Sequence, residues 1–121
     1  MQLQESGEMY LETIYLLTKE GKRARSVDVG NHMGFSKPSV SRAIGLLKSG
    51  GYVAVEGDGN LVLTEAGLEV AKRTYERHAL LTEVFLRLGV NRETASADAC
   101  KIEHVISEET FSAIRRFVEK G

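Results

Sequence analysis

The chain has 121 residues, 42% of them hydrophobic, which is enough to bury a core and fits one domain or a small domain with an appendage. No apolar run approaches the roughly 20 residues of a membrane helix, and the polar start lacks the order of a secretory signal. These features predict a cytoplasmic protein that neither spans nor binds a membrane. The single cysteine excludes an internal disulfide.

The net charge of −1 conceals an uneven distribution along the chain. Residues 1–18 carry three acids and no bases, whereas residues 19–48 carry seven bases and two acids, a net charge of +5. Residues 49–121 carry nine bases and twelve acids. The basic middle segment is typical of a surface that contacts a polyanion. The alternative is a solvated charged face, and charge alone favours neither.

The first half of the chain predicts three helices. Residues 8–20 carry apolar side chains at mostly helical spacing, and a glycine follows as a stop signal. Ser26 is expected to cap a short helix that runs to about residue 33. Ser36 is expected to cap another that ends near residue 49. Two short helices joined by a turn containing Gly34 form a helix-turn-helix pattern.

The second half predicts a hairpin and three further helices. Residues 52–63 are two short strand-like runs around Gly57-Asp58-Gly59, and such a hairpin after a helix-turn-helix is the wing of a winged helix. A threonine, an asparagine and a serine then stand where they can cap helices over residues 64–89, 91–106 and from 107 onward.

These elements predict a mainly α protein with a small β-hairpin. Residues 1–70 are expected to form a winged helix-turn-helix DNA-binding domain. Residues 71–121 are expected to form an all-α domain. The long helix suits a link between the two.

Residues suited to reading DNA are concentrated at the start of the second helix of the helix-turn-helix. Small or polar side chains there can approach base edges, and flanking bases can hold phosphates. Arg42 is the best candidate for pairing with guanine, and Lys22 and Arg23 suit phosphate contacts. The alternative is a winged helix used for protein contacts. The predicted DNA-binding residues are Arg25, Ser36, Lys37, Pro38, Ser39 and Arg42.

Cys100, Glu103 and His104 have the i, i+3, i+4 spacing that places three side chains on one helix face. A thiolate, a carboxylate and an imidazole can occupy three corners of a transition-metal site. One alternative is a buried cysteine beside an ordinary surface pair. Another is a regulator that senses oxidants through Cys100.

Further metal donors are Met9 and Glu12 in the first helix and His78 in the long helix, although each also has an ordinary structural role open to it. An enzyme is not expected. The chain has no His-Glu-x-x-His motif, no glycine-rich phosphate loop, and no serine, histidine and aspartate arrangement around a nucleophile.

Taken together, these segments resemble the diphtheria toxin repressor family of metal-dependent regulators over nearly the whole chain. The resemblance is carried by EMYLETIYLL, SKPSVSRAIGLLKSGGYV, LVLTEAG, RHALLTEVFLRLGV and ACKIEHVIS. It implies a homodimeric repressor of metal-uptake genes that binds a palindromic double-stranded operator when loaded with Fe²⁺ or Mn²⁺. It further implies that residues 71–121 form the helical domain for metal binding and dimerisation. The chain would be either the two-domain form of the family or a piece of a longer member.

The resemblance implies a mixed ligand set. Met9, Cys100, Glu103 and His104 match the iron-responsive branch, whereas Glu12 and His78 match the manganese branch. Two ancillary ligand positions of the iron branch fall on Thr82 and Ser96. Thioether and thiolate donors favour Fe²⁺ over Mn²⁺, and Co²⁺, Ni²⁺ or Zn²⁺ are expected to bind in vitro.

Overall fold

The structure, a computed structural model, describes residues 5–120 apart from the side chain of Glu5. The first four residues lie outside that range. They are part of the polar start from which we predict that no secretory signal is present. The chain divides into two compact units, one up to Lys72 and one from Arg73 onward. None of the described helices combines the length and apolar character that a membrane span requires. The elements are α1 (Glu5–Lys19), α2 (Ser26–Met33), α3 (Lys37–Ser49), β1 (Val53–Val55), β2 (Leu61–Leu63), α4 (Glu65–Arg87), α5 (Arg92–Ile102) and α6 (Glu108–Lys120).

The helix-turn-helix consists of α2 and α3. After α2, Gly34 has a φ of +72°, a conformation that glycine adopts without steric cost. Ser36 caps α3 as predicted, accepting a hydrogen bond from the N–H three residues on at 3.4 Å. The predicted cap of α2 is wrong by one residue. Arg25 is the N-cap, and its N–H donates to Asp28 Oδ2 at 3.0 Å, so Ser26 becomes the first helical residue.

One apolar core holds the first unit together. Leu11 and Ile14 of α1 are completely buried in it. The inner faces of α2, α3 and the hairpin pack against the same core, which leaves the outer face of α3 to solvent. Its other members are Tyr10, Leu17, Ala24, Val29, Val40, Ile44, Leu47, Val53, Leu61 and Ala71.

The hairpin is the predicted wing. Its two strands are antiparallel, with Val55 opposite Leu61, and the Glu56 N–H closes the turn by donating to Asn60 O at 2.9 Å. Asn60 Oδ1 accepts from the Ala24 N–H at 3.1 Å, and the Leu61 N–H donates to Ala24 O at 3.0 Å. These bonds fasten the wing to the segment just before α2.

The helices that follow the wing begin at the predicted caps. Thr64 Oγ1 accepts from the Gly67 N–H at 3.2 Å at the start of α4. The side chain of Asn91 caps α5, accepting from the N–H two residues on at 2.9 Å. Ser107 Oγ accepts from the Thr110 N–H at 3.1 Å before α6. Each cap satisfies a donor that a helix start leaves without an intrahelical partner.

α5 ends at Ile102, four residues earlier than the predicted Ile106. Glu103 keeps helical angles (φ −56°, ψ −26°), and its N–H donates to Ala99 O at 2.9 Å. Beyond it the backbone turns, and the carbonyls of Glu103 and Ile106 accept hydrogen bonds from Arg77 of α4. No local sequence pattern contains that partner.

Candidate metal centre and nucleic-acid interface

The outer face of α3 is available to a ligand. Val40, Ile44 and Leu47 are buried beneath the helix, so the side chains between them face outward. The six residues predicted to bind DNA are all exposed: Arg25, Ser36, Lys37, Pro38, Ser39 and Arg42. This arrangement suits a helix whose first turns enter a DNA groove.

The hydroxyl groups at the start of α3 already have partners. Ser36 Oγ donates to Ser39 Oγ at 2.9 Å while accepting from the Ser39 N–H. Arg25 lies at the start of α2, with its Nε 3.9 Å from Asp28 Oδ2. These local contacts hold Ser36 at the start of α3 and Arg25 at the start of α2, and both residues remain exposed.

The turn of the wing forms an ion pair with a basic residue that precedes α2. Arg23 Nη2 lies 2.6 Å from Asp58 Oδ2, and both side chains are more than half exposed. The hydrogen bond from the Asn60 backbone N–H, and after it the charge of Arg23, hold the pKa of Asp58 below its usual value. A base suited to a phosphate contact is therefore partly neutralised by the wing.

The predicted metal donors of the second unit converge. Ligand atoms of Cys100, Glu103 and His104 all lie within 4.8 Å of one another. The thiol belongs to a half-buried residue, whereas the side chains of Glu103 and His104 are completely buried. The spacing survives the early end of α5 because Glu103 retains helical angles.

The Glu103 carboxylate is the centre of this cluster. Its Oε2 lies 2.9 Å from Nδ1 of His78, whose Nε2 lies 3.4 Å from Ser96 Oγ. Its Oε1 lies 3.3 Å from Nε2 of His104 without hydrogen-bond geometry, and no other described residue donates to it. A buried carboxylate oxygen beside a thiol and an imidazole fits a divalent transition metal.

The remaining predicted donors, Met9 and Glu12, belong to the first unit. They lie one turn apart on α1, and both are half-buried. The structure thus brings His78, Cys100, Glu103 and His104 together in the second unit. Thr82 Oγ1 donates to His78 O at 2.7 Å, so its hydroxyl hydrogen-bonds to the backbone of its own helix.

Comparison with known proteins points in the same direction. Residues 2–61 match the family model described as the iron dependent repressor N-terminal DNA binding domain. Residues 64–120 match the model described as the iron dependent repressor metal binding and dimerisation domain.

Several curated relatives are more than one-third identical to the chain, and two of them represent the group. The uncharacterized HTH-type transcriptional regulator MJ0568 of Methanocaldococcus jannaschii is 35% identical, with 98% of this chain and 96% of that protein covered. The transcriptional regulator MntR of Escherichia coli O157:H7 is 36% identical, with 92% and 72% covered.

A solved structure of the manganese regulator SloR has the same fold. The TM-score is 0.83 at 22% identity, and the match covers the whole of this chain and 56% of that one. The predicted fold class, a winged helix-turn-helix followed by a helical dimerisation domain, is confirmed.

Proposed function

The chain belongs to the diphtheria toxin repressor family of metal-dependent transcriptional repressors, and we propose that it represses metal-uptake genes as a metal-loaded homodimer on a palindromic operator. The observation that carries this proposal is the convergence of Cys100, Glu103 and His104 in a chain that exposes the outer face of α3. We assign DNA binding to residues 1–70, and metal binding and dimerisation to residues 71–121.

The proposed ligand set is the one that the family resemblance implies. Cys100, Glu103 and His104 form its core, and Met9, Glu12 and His78 complete the proposed set. When bound, a divalent cation supplies positive charge to a cluster of thiolate and carboxylate groups. Burial of the Glu103 and His104 side chains excludes water from the donors. Nδ1 of His78 lies 2.9 Å from Oε2 of Glu103, so these two proposed ligands are adjacent.

Fe²⁺ is the proposed physiological metal, with Mn²⁺ second. Thiolate and thioether donors suit Fe²⁺ better than Mn²⁺, which prefers carboxylate and carbonyl oxygens. Because the usual order of affinities places Zn²⁺ above Fe²⁺, availability in the cell must contribute to the selection.

DNA binding is proposed to use α3 in the major groove. Arg42 would read a base edge, and Arg25 and Lys37 would hold phosphates. The two recognition helices of a dimer must match half-sites spaced by about 34 Å. If metal favours that spacing, metal and operator must strengthen each other's binding equally, typically by about 1–3 kcal/mol.

An apolar groove in the second unit supports the homodimer. It lies between the end of α4 and α6, has a volume of about 300 Å³, and is lined mainly by apolar side chains. Leu88 and Phe117 are 74% and 70% exposed there. Large apolar side chains so accessible are typical of surfaces that a partner covers.

The decisive experiment is an anaerobic titration of the full chain with Fe²⁺ and with Mn²⁺, in which binding to operator duplex is measured. Wild type is expected to bind DNA only with metal, with Fe²⁺ acting at the lower concentration, and Cys100→Ala is expected to lose that dependence. Arg42→Ala is the matched control, which should lose DNA binding while keeping metal affinity. DNA binding indifferent to metal and chelators but abolished by peroxide would instead favour a thiol-sensing regulator.

A further inference from the structure

Arg77 is an almost buried arginine on α4, and its side chain is 13% exposed. Its Nη1 donates to two backbone carbonyls, Glu103 O and Ile106 O, each at 3.1 Å. Its Nη2 donates to Glu108 Oε2 at 2.8 Å. The guanidinium thus spans the whole segment between the end of α5 and the start of α6.

The position of this guanidinium is itself fixed. Its Cζ lies 5.3 Å from the ring centre of Phe111, a buried residue of α6, within the range of a cation–π contact. The ion pair with Glu108 holds the outer end of the group. An arginine fork has several donors in a rigid plane, so it can bind two carbonyls and a carboxylate together.

The turn that Arg77 spans carries two of the proposed metal ligands. α5 ends at Ile102, and carbonyls at a helix end lack intrahelical partners. A cation placed there satisfies them and interacts favourably with the helix dipole. We infer that Arg77 is a positioning residue of the metal site, which holds residues 103–106 in the conformation that brings Glu103 and His104 to Cys100.

Two consecutive residues of α4, Arg77 and His78, contact Glu103 at two different groups. Arg77 binds the main-chain carbonyl of Glu103, and His78 contacts its side-chain carboxylate at 2.9 Å. Arginine has no acceptor atom with which to bind a cation, so Arg77 acts on the metal only through the turn. This inference rests on the proposed metal site at Cys100, Glu103 and His104.

The test compares the full-length Arg77→Lys and Arg77→Met variants with wild type by anaerobic Co²⁺ titration. Co²⁺ bound to a thiolate gives a charge-transfer absorption band, which reports on Cys100. Residues that orient metal ligands typically change metal affinity by about 10- to 100-fold. Arg77→Met is expected to weaken Co²⁺ binding within that range and to alter the band. Arg77→Lys should bind with intermediate affinity, because it keeps the charge but loses the fork.

Arg115 provides the matched control. Its Cζ lies 5.1 Å from the same Phe111 ring, and it pairs with Glu76 at 3.7 Å. Arg115→Met therefore removes a cation from this ring without removing a contact to residues 103–106, and should leave Co²⁺ affinity unchanged. Thermal unfolding of each chelated variant separates loss of stability from loss of affinity.

The outcomes distinguish this inference from the proposal on which it rests. If Cys100→Ala abolishes the Co²⁺ band while Arg77→Met binds as wild type, the inference about Arg77 is overturned and the metal site stands. If Cys100→Ala binds Co²⁺ as wild type does, the metal site itself is wrong. Equal losses in Arg77→Met and Arg115→Met would also overturn the inference. If Arg77→Met does not fold, the Co²⁺ affinities of Arg77→Lys and Arg115→Lys are compared instead, and equal affinities would overturn the inference.

Discussion

Two helical glycines are expected to respond oppositely to replacement by alanine. Gly67 lies in the first turn of α4, where an added Cβ would come within 2.0 Å of Tyr52 O, a backbone atom that cannot rotate away. Gly45 lies in α3, and nothing stands within 4 Å of its added Cβ. Alanine in place of glycine stabilises a helix by about 0.8–1.0 kcal/mol, so this gain should appear in full only in Gly45→Ala.

At Gly67 the clash outweighs the gain in helix propensity. Relieving it requires α4 to move from the Tyr52 carbonyl by more than an ångström, which also strains the bond from the Thr64 N–H to Tyr52 O at 3.1 Å. Overpacking of this kind costs about 1–3 kcal/mol or more, and the strained hydrogen bond adds about 1 kcal/mol. We expect a net destabilisation of about 2 kcal/mol, or a decrease of roughly 8–16 °C in Tm for a unit of this size.

Thermal unfolding followed by circular dichroism measures both variants. Because Tyr52 stands between α3 and the wing, Gly67→Ala should also weaken binding to operator at saturating metal. Gly45→Ala should raise Tm. If Gly67→Ala is as stable as wild type, or gains stability as Gly45→Ala does, the close approach of α4 to Tyr52 is refuted.

Two further predictions concern the wing and the proposed dimer groove. Asp58→Asn should release Arg23 for a phosphate contact, strengthening DNA binding at low salt and steepening the slope of log K against log salt by about 0.9. Since the folded pKa of Asp58 is lowered, the contribution of its carboxylate to wing stability is present above the ordinary pKa of about 3.9 and lost as pH falls through the lowered value. Urea unfolding across that pH range should show a larger acid-side loss of stability in wild type than in Asp58→Asn. Phe117→Asp should give a monomer by sedimentation equilibrium, whereas the exposed apolar control Val27→Asp on α2 should sediment as wild type; a dimeric Phe117→Asp would exclude this groove as the interface.

The helix starts could be predicted because their determinants are local. At four helix starts a side-chain oxygen accepts a hydrogen bond from a backbone N–H two or three residues further on. The residues are Ser36, Thr64, Asn91 and Ser107. Short-range contacts of this kind can be read from residue type and position alone. The N-cap of α2 could not be predicted in this way, because Arg25 takes part through its backbone N–H, which donates to Asp28. Every residue except proline has such a donor, so residue type does not mark the position.

The end of α5 could not be predicted for the opposite reason. Its determinant, Arg77, lies 26 residues away from Glu103 and binds backbone carbonyls, which no residue pattern at 103–106 reveals. The contact of His78 with Glu103 is equally distant in sequence. The spacing of Cys100, Glu103 and His104 can be recognised in the sequence because it depends on one helical turn, whereas Arg77 and His78, which contact Glu103, come from another helix.

In the proposed site, the preference for one metal over another would depend most on the donors that differ in softness. Carboxylate and imidazole donors such as Glu103 and His104 accept most divalent first-row metals, so they provide affinity with little selectivity. The sulfur of Cys100 lies within 4.8 Å of the donor atoms of both and would supply a thiolate to a bound metal, the donor that Mn²⁺ accepts least readily. In the proposed site, Arg77 would position Glu103 whatever the metal and so govern the strength of binding, while Cys100 and the thioether of Met9 would shift the preference toward Fe²⁺.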